Sequence, residues 1–228
     1  MSSQTLYRLG GVTLIIGSLL LLIGSILGAV LLPGQIDSPG QVLNHSWVLL
    51  TLFTPIGSLL FVAGLPAMYL RQSGRAGVLG LTGFILLFFS SILLGVAYMF
   101  VQIVALPLLA QVAPQVLTGS DVSLGTSSFF LLLVSTLMDL LGSIVLGIAT
   151  LRAHVFPRWA GILLIASGVF TLLMFPATTS PLSEIIGVTA SATSAVAFFW
   201  CGYLLMGREY RTQETVPFAT SEARTSGS

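Results

Sequence analysis

Lysine does not occur in this chain of 228 residues, and its eight basic residues are all arginine. Charge of either sign is scarce: 7% of residues are Asp, Glu, Lys or Arg, against about 25% in an ordinary soluble domain. So few charges cannot coat a water-facing surface. The formal net charge of +1 offers no basic field to a phosphate backbone, which excludes a nucleic-acid partner. A single cysteine, Cys201, excludes a disulfide framework and any cysteine-based metal cluster. The chain also has no GxSxG, HExxH, Walker loop or GxGxxG, so the short signatures of serine, zinc and nucleotide chemistry are missing. His45 and His154 fall at opposite ends of the expected helices and cannot share a metal or bracket a haem. No cofactor and no catalytic residue is expected, and the chain reads as non-enzymatic.

What the chain has in quantity is apolar sequence. Hydrophobic residues make up 55%, with a mean hydropathy of +1.04. A membrane-spanning helix needs roughly 20 mostly apolar residues, and six windows qualify. They run at about Leu9–Leu32, Trp47–Leu70, Val78–Leu106, Leu124–Leu151, Trp159–Phe175 and Glu184–Met206. The first is too long for the apolar run of a cleaved signal peptide and is expected to remain as a span. The polar stretch at 208–228, rich in Thr, Ser and Glu, reads as a disordered cytoplasmic tail. The fold class is therefore all-α: a polytopic, six-transmembrane-helix bundle occupying residues 1–207.

Arginine placement gives the orientation. Arg8 precedes the first window, Arg71 and Arg75 join the second and third, Arg152 and Arg158 join the fourth and fifth, and Arg208, Arg211 and Arg224 follow the sixth. The alternate connections hold Asp37, Asp121 and Glu184 and no arginine. The positive-inside rule makes the arginine face cytoplasmic, so both termini lie inside, as an even helix number requires. Asn44, Asp121 and Ser180-Pro181 are start signals for even-numbered helices. Tyr7, Trp47 and Trp159 sit where interfacial aromatics belong.

In lipid, helices associate through close packing of small residues rather than through apolar burial. Gly24 and Gly28 form a GxxxG pair. Gly80 with Gly83, Gly161 with Gly168, and Gly187 with Ser191 and Ser194 also fall at helical spacings. Pro55 is expected to kink or loosen the second helix, with Thr51 and Thr54 available to the freed backbone groups. The arginine turns at Leu70-Arg71 and Leu151-Arg152 resemble each other, which suits either a duplicated hairpin or the common needs of a cytoplasmic turn.

Asp139 is the acid well inside a span. Placing a charged Asp at the bilayer centre costs at least about 2.5–3.5 kcal/mol, so it must face protein or water, or carry a proton. Ser135, Asp139 and Ser143 recur every four residues as one polar stripe. Ser91, Gly95, Tyr98 and Gln102 form a matching stripe on the third helix. The Tyr98 hydroxyl or the Gln102 amide is expected to hydrogen-bond Asp139. Two roles stay open for this group: a packing register fixed by interhelical hydrogen bonds, or a cation or proton pathway.

The segment Leu151-Arg152-Ala153-His154-Val155-Phe156-Pro157-Arg158-Trp159-Ala160-Gly161 and the opening Leu6-Tyr7-Arg8-Leu9-Gly10-Gly11 resemble recurring motifs of small bacterial six-span proteins grouped as a domain of unknown function. That resemblance implies a multi-pass protein of the bacterial cytoplasmic (inner) membrane and carries over no site residues. The expected role is an accessory or assembly subunit whose partners are the lipid bilayer and a second membrane protein or copy of itself. The alternative is a small-solute or proton-coupled transporter or channel using Asp139.

Overall fold

The structure, a computed structural model, describes residues 3–31, 40, 43–113, 122–174 and 181–207. The tail at 208–228, Asp37, Asp121 and Ser180 lie outside them. Every regular element among the described residues is helical: α1 (Ser3–Leu31), α2 (His45–Thr51), α3 (Phe53–Ile92), α4 (Leu106–Val112), α5 (Val122–Ala153), α6 (Arg158–Met174) and α7 (Pro181–Met206). Two π-helical turns, Leu93–Tyr98 and Val101–Ala105, join α3 to α4.

The helical run His45–Val112 covers 68 residues. At 1.5 Å per residue that is about 100 Å, three times a bilayer core, so it has to fold back. The reversal is at Gly77, with φ 57° and ψ −153° inside α3. Only a residue without Cβ takes that backbone easily. The two arms, residues 53–76 and 78–92, lie against each other: Tyr69 stacks on Phe84 with ring centroids 5.0 Å apart. Further out, the Trp47 Nε1–H donates to the Gln102 carbonyl at 3.1 Å. The turn between α5 and α6 is closed by His154 at φ 51°, the left-handed position where helices commonly end.

The helix is loosened locally one turn before Pro55. Leu52 interrupts α2 and α3 for one residue but keeps helical angles, φ −65° and ψ −25°. Its N–H still reaches the Val48 carbonyl, and its carbonyl accepts from Ile56. Thr51 returns its hydroxyl proton to the Trp47 carbonyl. The second π turn has its own cause: Pro107 lacks the N–H that would bond the carbonyl of Ile103, four residues back.

Six antiparallel rods result among the described residues: α1, α2 with the first arm, the second arm with α4, α5, α6 and α7. Each packs on its chain neighbour, and α7 returns to pack on α1, closing a ring. Backbone contact between glycines sets several of these spacings. A Cβ on Gly11 would lie 2.6 Å from the Gly202 carbonyl oxygen, and one on Gly202 would lie 2.7 Å from that of Gly11. The α1 seam uses Gly17 against Phe61 and Gly57, a pairing that no GxxxG motif announces.

The outside of the ring is apolar at mid-height. Ile23, Leu59, Phe89, Leu141, Val169 and Val196, one from each rod, are all exposed. A soluble monomer rarely shows contiguous apolar surface beyond a few hundred Å². Among the described residues, four helical runs, Gln4–Leu31, His45–Val112, Phe130–Ala153 and Glu184–Met206, are long and apolar enough to cross a membrane, Arg158–Leu173 is a shorter apolar helix, and this exterior suits lipid. Arg8, Arg71, Arg75, Arg152 and Arg158 stand at one end of the bundle, in or beside its helix ends and turns, with Glu184 at the other.

Candidate functional site

An interior cavity of about 540 Å³ takes up the half of the bundle away from the arginines. Ligand pockets commonly run about 300–1,000 Å³. All six rods line it, and each supplies a serine: Ser18, Ser58, Ser90, Ser143, Ser167 and Ser194. Toward the arginine end it is floored by Leu14, Leu65, Met68, Leu146, Leu164 and Cys201, none more than 1% exposed. Over this half the bundle therefore encloses a space whose mostly apolar walls carry scattered hydroxyls and two carboxylates, and the other half is filled by close-packed side chains.

The hydroxyl protons are spent locally. Ser18, Ser143, Ser167 and Ser194 each donate to the carbonyl three residues back in their own helix, at 2.8–3.0 Å. Thr136 and Thr171 do the same four residues back. Such back-bonding is ordinary for Ser and Thr in apolar helices. Its chemical consequence is that these oxygens offer the cavity lone pairs, not protons.

Asp139 lines this cavity half-way down, beside Ser90. Ser90 gives its hydroxyl proton to the Ser135 carbonyl at 3.0 Å, tying the second arm to α5. Glu184, in the first turn of α7, is the second lining carboxylate among the described residues, and no described arginine or histidine lines the space. Tyr98, Met99 and the edge-to-face pair Phe61–Phe198, 4.6 Å between centroids, complete an aromatic and thioether wall.

Of the five residues singled out in the sequence, Asp139, Ser143 and Tyr98 reach the cavity. Ser135 is wholly buried in the seam between α5 and the second arm and gives its proton to Leu132. Gln102 turns its amide to the Tyr98 hydroxyl at 2.9 Å instead of toward Asp139. Ser91, Gly95 and Tyr98 of the expected stripe all line the cavity, and the side chain beside Asp139 is Ser90. Gln102 leaves that face beyond the π turn at Leu93–Tyr98, which shifts the helical phase. Ser58 and Ser167 carried no sequence signal, because a serine in an apolar helix is as common in seams as in cavities.

Among the described residues, no group of three His, Cys, Asp or Glu side chains is placed to hold a metal ion. No family model, no curated protein and no solved structure matches this chain.

Proposed function

We propose that this chain is a six-span protein of the bacterial cytoplasmic membrane, both termini inside, that binds a small solute in its interior cavity and carries it across. The observation behind this reading is the cavity itself: a space of about 540 Å³ with mostly apolar walls, a serine from every rod and a carboxylate at half depth, closed by a buried, mainly apolar plug on the arginine side. With the arginine end cytoplasmic, the cavity faces outward, and the arrangement is one end state of an alternating-access cycle. An assembly subunit needs no such space. The accessory role draws support from the close glycine contacts along the seams, such as Gly11 with Gly202, Gly17 with Phe61 and Gly83 with Leu146, which suit a static bundle.

Native Cys201 tests the reading, because it lies fully buried in the plug. A carrier has to open that plug toward the cytoplasm for part of each cycle. In inside-out membrane vesicles, a small thiol reagent is expected to modify Cys201 slowly but completely. A static bundle would leave it unmodified until detergent denaturation.

A further inference from the structure

The walls of the cavity are one-sided in their chemistry, and we infer that its ligand is an organic cation, an ammonium or guanidinium group on a small hydrocarbon body. This assignment rests on the solute-cavity reading above and names its substrate class. Among the described residues the lining holds two carboxylates, Asp139 and Glu184, and no basic side chain. The hydroxyls of Ser18, Ser143, Ser167, Ser194, Thr136 and Thr171 have committed their protons to helix carbonyls. An anion would meet two like charges. A neutral polyol would leave both carboxylates without a counter-charge. An N–H-bearing cation supplies that counter-charge and finds acceptor oxygens on the surrounding hydroxyls.

The size and the apolar wall speak for an organic rather than an inorganic ion. A dehydrated metal ion needs a tight shell of about six oxygens at 2–2.6 Å, whereas this space is far larger and is walled by Phe61, Phe198, Tyr98, Met99 and Leu87. Aromatic faces attract organic cations, most strongly where water is excluded. Glu184, exposed near the acidic end of the bundle, would draw the cation in, and Asp139 would hold it at half depth.

The test uses the full-length chain in lipid nanodiscs and three matched probes: phenethylammonium, phenethyl alcohol and phenylacetate. Calorimetric titration is expected to show phenethylammonium binding at least about tenfold tighter than the alcohol, with phenylacetate weakest. A carboxylate–ammonium pair at contact distance readily supplies that factor. Asp139→Asn is expected to erase the preference for the ammonium while leaving the alcohol unchanged, and Glu184→Gln to weaken ammonium binding at low salt only. Equal binding of ammonium and alcohol by the native chain, preference for the carboxylate, or no binding of any probe at millimolar concentration would overturn the inference. The native comparison stands even where a variant fails to fold. An unreactive Cys201 would remove the transport reading and leave the cation site intact; equal binding of the probes would do the reverse.

Discussion

Gly24 and Gly28 share one face of α1 and meet different surroundings. A Cβ on Gly24 would stand 2.8 Å from the Thr54 hydroxyl oxygen, while one on Gly28 would meet nothing within 4 Å, although both border the cavity. Sequence spacing alone marks both as a packing seam; the difference comes from which neighbour each turn of α1 faces, which spacing does not encode. Gly28→Leu is therefore expected to leave the unfolding midpoint in detergent nearly unchanged, within about 0.5 kcal/mol, and to block probe binding by filling the space. Gly202→Leu is expected to cost about 1–3 kcal/mol, since overpacking here presses on the Gly11 backbone, which has no rotamer to shift. Asp139→Asn keeps a hydrogen-bonding group beside Ser90, and hydrogen bonds between helices in lipid average only about 0.6 kcal/mol. Its thermal unfolding should thus resemble that of the native chain, whatever it does to binding.

Among the elements, the turn at Gly77 carries the topology of the middle hairpin. Its angles lie where a side chain costs about 1–3 kcal/mol. Gly77→Ala is expected to lower stability by that amount although nothing lies within 4 Å of the added methyl, so the loss is backbone strain rather than a clash. Chemical denaturation of the two proteins in the same micelle checks it, and an unchanged midpoint would place the reversal elsewhere. Most helix positions were legible in the sequence, because an apolar run bounded by Arg, Pro or Trp has one economical reading in lipid. The ends were less so: the window read from Trp47 begins at His45, and the one read to Leu106 continues to Val112. An apolar helix gives no change of hydropathy at its last turns. The π turns were invisible for a related reason, since a stretch apolar on every side shows no break of phase when one residue is inserted.

At the scale of the whole molecule, the apolar exterior and the serine from each rod form one design: lipid outside, hydroxyl oxygens inside, a dry plug beneath. The polar stripe on the fourth window pointed to part of this, through Asp139 and Ser143. The cavity as a space was not readable, because it depends on α7 closing back on α1, a contact between residues nearly two hundred positions apart such as Gly11 and Gly202. The decisive experiment is thiol labelling in a Cys201→Ala background, with Ser91→Cys facing the cavity and Leu137→Cys facing lipid. A membrane-impermeant reagent added outside intact cells should modify Ser91→Cys readily and Leu137→Cys hardly at all. Labelling of Ser91→Cys only from the cytoplasmic side, or from neither, would contradict an outward-facing, water-filled interior.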